Sequence, residues 1–204
     1  MEQFIKNYNI NNNIYNYLNF GDDKGIYIYF DELENKKGNR YNYIIEHDIK
    51  DYSYHSPSCF KLYNLLSSLN ITTKDKIIDI GSGRGFALCI FKLFNFSKIS
   101  GIETSLNDIN ICKNNLNILN IKDVDILNIN ALNFNNHKDY NFFYFYNPFD
   151  NIIFEKFISN INHDATIIYK NIHELDMRVL KQYNFILFNI FKGEGRDYYI
   201  YKNY

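Results

Sequence analysis

The sequence of 204 residues is poor in several residue types that define whole classes of proteins. It contains no tryptophan, two prolines, nine glycines and three cysteines. The cysteines are Cys59, Cys89 and Cys112, an odd number without metal-ligand spacing, which argues against a disulfide framework and a cysteine-based zinc site. We expect reduced thiols that pack as small apolar side chains, as is typical of the cytoplasm.

Net charge and long apolar runs are also lacking. Lysine and arginine total 22 and aspartate and glutamate total 23, so the field of the whole protein does not favour a nucleic acid or a membrane surface. No stretch approaches the roughly 20 apolar residues that cross a bilayer, and residues 1–20 lack the pattern of a signal peptide. We therefore expect a cytoplasmic protein without a nucleic-acid or membrane partner; its oligomeric state stays open.

The order of apolar and polar residues predicts an α/β protein. Residues 1–55 are irregular and rich in asparagine and tyrosine, which predicts an arm or cap that is helical in part. Across residues 56–204, short apolar runs alternate with stretches of helical spacing. This alternation predicts a Rossmann-like, seven-stranded, mostly parallel sheet with helices on both faces. The last two runs flank a glycine-containing turn and predict an antiparallel C-terminal hairpin.

Three of the nine glycines lie within five residues, in the segment Asp79-Ile80-Gly81-Ser82-Gly83-Arg84-Gly85. The segment follows an apolar run and precedes a helical stretch, so it belongs at the carboxyl end of a strand, where open α/β sheets bind ligands. Its spacing differs from the G-x-G-x-x-G of dinucleotide sites. Because Asp79 would repel a phosphate, a ligand with an ammonium or sulfonium group is favoured.

The pattern [DE]-x-G-x-G-x-G resembles the first motif of class I S-adenosylmethionine-dependent methyltransferases, which implies S-adenosyl-L-methionine as the cofactor. Glu103 resembles the acidic residue that binds both ribose hydroxyls in that family. Asn130-Ala131 resembles the acidic and small pair beside the adenine, with Asn in place of Asp. The cofactor-binding residues implied by this resemblance are Ser58, Asp79, Gly81, Ser82, Gly83, Gly85, Glu103, Thr104, Asn130, Ala131 and Asn147.

The segment Asn147-Pro148-Phe149 follows the fourth strand and resembles the [DN]-P-P-[YF] motif of amino methyltransferases, with one proline. The resemblance implies that Asn147 and a backbone carbonyl orient an acceptor nitrogen and that Phe149 stacks on a planar acceptor. Catalysis of this kind is largely positioning. A purely structural alternative makes Asn147 the N-cap of a helix that Pro148 begins, with Phe149 in the core.

Residues 30–170 resemble more closely a group of small bacterial class I methyltransferases whose substrates are largely unassigned. His55-Ser56-Pro57-Ser58 occupies the place of a Y-x-P-[TS] segment in that group, so His55 is a candidate base near the substrate and Ser58 a contact for the cofactor carboxylate. The other histidines adjoin charged or asparagine-rich turns without metal-ligand spacing, so we expect them to be solvated and predict no metal site. They are His47, His137, His163 and His173.

The leading hypothesis is methyl transfer to a nitrogen of a small molecule or a protein side chain, with S-adenosylmethionine and an unidentified methyl acceptor as partners. Three alternatives stay open. They are an O-methyltransferase of a sugar or metabolite, an amino methyltransferase of ribosomal RNA or DNA, and a non-catalytic cofactor-binding scaffold.

Overall fold

A computed structural model describes residues 59–118, 121–192 and 197–204. The helices are α1 (Cys59–Ser67), α2 (Phe86–Phe91), α3 (Leu106–Ile118), α4 (Asn151–Ile158) and α5 (Glu174–Gln182). The strands are β1 (Lys76–Ile80), β2 (Lys98–Glu103), β3 (Asp125–Asn128), β4 (Phe142–Phe145), β5 (Thr166–Lys170), β6 (Ile186–Phe191) and β7 (Tyr198–Lys202). Single 3₁₀ turns are Ala131–Asn133 and His137–Asp139. The predicted arm and the site residues His55 and Ser58 lie outside the described residues.

The strands form one seven-stranded sheet in the order β3-β2-β1-β4-β5-β7-β6. Strands β1 to β5 run parallel to one another, and β7 is antiparallel to both β5 and β6. The predicted fold class, a mostly parallel sheet closed by an antiparallel hairpin, is confirmed. Because the first four strands are parallel, their carboxyl ends lie on one edge of the sheet.

Two apolar clusters cover the two faces of the sheet, which explains why its central strands are mostly apolar and buried on both faces. All residues of β4 and β5 are buried. Ile77 belongs to the first cluster, which includes residues of α1 to α3, and Ile78 belongs to the second cluster, which includes residues of α4 and α5. Neighbouring residues of a strand point to opposite faces of the sheet. Cys89 and Cys112 are buried, free thiols in the first cluster, as predicted.

The expectation of solvated histidines is wrong for His137, which is only 4% exposed. Its ring lies 4.5 Å from the Phe157 ring and 5.0 Å from the Phe134 ring, inside the second apolar cluster. The turn residues around His137 are exposed, so the local sequence resembles a surface loop. Burial of this one side chain depends on packing between that turn and α4, which a local pattern does not contain.

None of the helices in the described ranges is long and apolar enough to cross a membrane.

Candidate active site

The carboxyl ends of β1, β2, β3 and β4 meet at a cavity of about 220 Å³. Each of these strands contributes residues at its carboxyl end or in the loop after it, so four segments separated in sequence share one site. The lining residues are Gly81, Ile102, Glu103, Thr104, Ile129, Asn130, Ala131, Pro148, Phe149 and Ile153. Seven predicted site residues are among them. Asp79, Ser82, Gly83, Gly85 and Asn147 belong to the same segments but do not line this cavity.

The glycine loop requires two of its glycines for different reasons. Gly81 has φ 79°, and a β-carbon on it would stand 2.7 Å from the Pro148 Cβ. Gly83 has φ 50° and faces open space, since no heavy atom lies within 4 Å of a β-carbon built there. The first glycine therefore permits close packing of two loops, whereas the second leaves a side of the loop uncovered, as a bound ligand needs.

Glu103 connects the glycine loop to the start of α3 through its carboxylate. Its Oε2 accepts a hydrogen bond from the Gly83 amide at 3.0 Å. Its Oε1 accepts from the amides of Thr104 at 2.7 Å and Ser105 at 2.9 Å. The half-buried carboxylate thus holds three backbone donors at the mouth of the cavity.

Asp79 lies in the centre of the sheet, between Gly101 of β2 and Tyr144 of β4, and is 3% exposed. Burial, and secondarily the negative charge of Glu103, raise the pKa of the Asp79 carboxyl well above its ordinary value of 3.8. A buried acid of this kind is stabilised in its ionised form by a nearby cation. A cation bound close to the glycine loop would therefore favour the ionised form of Asp79.

Asn130 begins the 3₁₀ turn that follows β3, and its Oδ1 accepts a hydrogen bond from the Leu132 amide at 2.9 Å. The cap fixes the turn so that Ala131 forms a small, apolar part of the cavity wall. Ile129 and Ile153 add larger apolar surfaces. These groups make one end of the cavity suited to a flat apolar ring with a polar edge.

The structural alternative for Asn147 is wrong. Helix α4 begins at Asn151, and its N-cap is Asp150, whose carboxylate accepts from the amides of Ile152 and Ile153 at 3.0 Å. Asn147 instead has φ 44°, a left-handed conformation that asparagine tolerates better than most residues. Phe149 is half-buried, with its ring 6.4 Å from the Phe145 ring, and lines the cavity.

An ion pair beside the site was not predicted. Arg84 Nε, in the glycine loop, lies 2.9 Å from Asp108 Oδ1 in the first turn of α3. The Asn115 side chain also donates to the Arg84 carbonyl at 3.1 Å. Both contacts secure the loop against α3.

Ile153 was also missed, although its position one turn into a helix after the Asn147 segment is a signal that would have found it.

No protein-family model and no curated protein matches the chain. Solved structures do match. An S-adenosylmethionine-dependent methyltransferase from Clostridium acetobutylicum superposes with a TM-score of 0.63 at 11% identity, covering 80% of this chain and 99% of that chain. An RNA methyltransferase from Salinibacter ruber, in complex with S-adenosyl-L-homocysteine, has a TM-score of 0.58 at 12% identity, covering 73% and 93%. Precorrin-6y C5,15-methyltransferase from Geobacter metallireducens has a TM-score of 0.57 at 11% identity, covering 74% and 90%.

These similarities establish the fold. The described residues have the fold of class I S-adenosylmethionine-dependent methyltransferases, in agreement with the resemblance noted in the sequence.

Proposed function

We propose that this chain is an S-adenosylmethionine-dependent methyltransferase that acts on a nitrogen of a small molecule or a protein side chain. One observation carries the proposal. Pro148, from the segment that resembles an amino-methyltransferase motif, packs on Gly81 of the glycine loop, and both line a cavity with Glu103. The segments that resemble a cofactor motif and an acceptor motif thereby lie side by side.

The residues present fit S-adenosylmethionine. Glu103 offers carboxylate oxygen to the ribose, and Ala131, Ile129 and Ile153 offer an apolar seat to the adenine. Asp79, whose pKa is raised by burial, gains a stabilising partner in the cationic methionine end of the cofactor. The open side of Gly83 leaves the backbone accessible to it. When bound, the cofactor supplies an electrophilic methyl group on a sulfonium.

The acceptor class follows from the segment after β4. In this proposal the Asn147 side-chain oxygen and a neighbouring carbonyl accept hydrogen bonds from the acceptor N–H groups and so direct the nitrogen lone pair. The N–C bond forms as the S–C bond breaks, and the released proton passes to water. An amine needs no strong base for this attack, so the contribution of the protein is positioning. The fold alone supports many acceptors and does not select among them.

Calorimetric titration with S-adenosylmethionine and S-adenosylhomocysteine tests the cofactor part of the proposal. We expect micromolar dissociation constants, which correspond to about −8 kcal/mol. Replacement Glu103→Ala should abolish the binding of both ligands. If the wild-type protein binds neither ligand, the proposed function is wrong.

The acceptor part is tested with methyl-labelled cofactor and a panel of amines, alcohols and RNA. Asn147→Gly keeps the left-handed backbone but removes the side chain, and we expect transfer to an amine to fall about 100-fold, a much larger loss than that of S-adenosylhomocysteine affinity. Asn184→Gly is the matched control. Asn184 also has a positive φ, 63°, but it lies just before β6 and does not line the cavity. Label on a hydroxyl or on RNA would instead support those alternatives, and binding without transfer would support a scaffold.

A further inference from the structure

The Glu103 carboxylate is almost fully used by the protein itself. Oε1 accepts from the amides of Thr104 and Ser105 at 2.7 and 2.9 Å, and the Thr104 hydroxyl lies 3.3 Å from the same oxygen. Oε2 accepts from the Gly83 amide at 3.0 Å. A carboxylate has about four acceptor positions in total. Oε1 accepts three hydrogen bonds and Oε2 accepts one, so a free acceptor position remains on Oε2 only.

The Gly83 amide is held where it meets Oε2. The amides of Gly81 and Ser82 both donate to the Ile102 carbonyl, at 3.0 and 2.9 Å, and the Gly85 amide donates to the Ser82 carbonyl at 2.9 Å. These bonds join the loop to β2 immediately before Glu103 and close the turn on both sides of Gly83. Moving the Gly83 amide away would disturb this turn and leave a donor without a partner.

The amides of Thr104 and Ser105 are equally constrained, because they belong to the residues directly following Glu103. Ser105 is also the cap of α3: its hydroxyl accepts from the Asp108 amide at 3.3 Å, and its carbonyl accepts from the Ile109 amide at 3.0 Å. The acceptor positions of Oε1 are therefore occupied by the amides of the two residues that precede α3. Of the two carboxylate oxygens of Glu103, Oε2 alone retains an acceptor position for a ligand.

Resting on the proposed function, we infer that Glu103 recognises a single ribose hydroxyl, through Oε2, and keeps its bond to the Gly83 amide in the complex. This differs from the role that the family resemblance implies, in which the acidic residue binds both hydroxyls. The site then selects strongly for one hydroxyl of the nucleoside and weakly for the other. Glu103 acts at once as a ligand contact and as the residue that positions the glycine loop.

The inference is tested on the wild-type protein with three ligands that share adenine and homocysteine: S-adenosylhomocysteine and its 2′-deoxy and 3′-deoxy analogues. Loss of a hydrogen bond to a charged group weakens binding by about 10- to 100-fold. We expect one analogue to lose affinity by that factor and the other to stay within about threefold of the parent. Similar losses for both analogues, or no loss for either, would overturn the inference while leaving the proposed function standing.

Two further measurements separate ligand recognition from loop positioning. Hydrogen exchange at the Gly83 amide should remain protected in the S-adenosylhomocysteine complex, and loss of protection on binding would contradict the inference. In Glu103→Gln, the difference between the two deoxy analogues should disappear, and a difference that persists would assign the selectivity to another residue. Failure of S-adenosylhomocysteine itself to bind the wild-type protein would overturn the proposed function and this inference together.

Discussion

Pro148 lies directly against Gly81, so that a β-carbon on the glycine would stand 2.7 Å from the Pro148 Cβ. The two residues follow β1 and β4, which are neighbouring parallel strands. Their contact makes the glycine loop and the Asn147 segment one packed unit at the edge of the sheet. A change in either loop is therefore transmitted to the other.

Gly81→Ala should weaken S-adenosylhomocysteine binding and methyl transfer together. The new methyl group forces Pro148 to move, which adds about 1–3 kcal/mol to the roughly 1 kcal/mol cost of alanine with a positive φ. Gly83→Ala is the matched control, since it has the backbone cost but meets no atom within 4 Å. Thermal unfolding should therefore show a larger loss of stability for Gly81→Ala, and equal losses would mean that the Pro148 contact is unimportant.

Asp79→Asn should stabilise the ligand-free protein and weaken the binding of S-adenosylmethionine. The pKa of Asp79 is raised in the folded state, so its ionisation favours the unfolded chain once the pH rises above 3.8, the ordinary value. The variant removes that penalty at neutral pH but also removes the negative charge offered to the cofactor. Denaturant unfolding and calorimetry at neutral pH measure the two effects. A less stable variant with unchanged affinity would contradict both.

Gly101→Ala should destabilise the centre of the sheet. A β-carbon at this position would lie 2.6 Å from the Ser82 Oγ and 3.0 Å from the Leu88 Cδ1. We expect a loss of about 1–3 kcal/mol in the free energy of unfolding, as is usual for overpacking. The second change Ser82→Gly removes the nearest obstruction, so the double variant should recover part of the loss relative to the sum of the two single changes.

Acid should destabilise the protein through His137. Burial, and secondarily the neighbouring His163, lower the pKa of His137 from 6.5 to about 4. The unfolded chain then binds a proton at a higher pH than the folded protein does, so stability present above pH 6.5 is lost as the pH falls towards 4. The full loss is about 3 kcal/mol.

The control for this pH effect is His173→Gln, which changes an exposed histidine before α5. In His137→Phe the fall in unfolding free energy between neutral pH and about pH 4 should be smaller than in the wild type, whereas His173→Gln should follow the wild-type curve. Parallel curves for wild type and His137→Phe would show that His137 does not contribute.

The position of the site at the carboxyl ends of the strands was predictable, because strand, turn and ligand position are linked in this class of sheet. Gly81 was predicted from the glycine loop, and Glu103, Asn130 and Pro148 were predicted from the family resemblance. All four residues line one cavity. The partners of these residues were not predictable. The bond from the Gly83 amide to Glu103 joins residues 20 apart in sequence, and the ion pair of Arg84 with Asp108 joins residues 24 apart.

The roles of single asparagines and histidines were the least predictable part. Asparagine is frequent throughout the chain, so nothing local distinguishes Asn147, with its left-handed backbone, from an N-cap. Asp150, three residues later, performs that function. His137 looked like a loop residue because its neighbours in sequence are polar, yet its neighbours in space are aromatic rings.

Apolar periodicity and glycine spacing in the sequence alone determined the class of sheet, the order of helices and strands, and the edge on which the site lies, since these depend on residues close together in the chain. The tertiary structure decided which groups share hydrogen bonds and charge. Parallel strands bring distant loops together, and three features depend on this. Pro148 contacts Gly81, the Asp79 carboxyl is buried away from water, and the Glu103 carboxylate retains one acceptor position. Desolvation and the limited number of acceptor positions on a carboxylate then set the chemistry of the site, and both depend on neighbours in space.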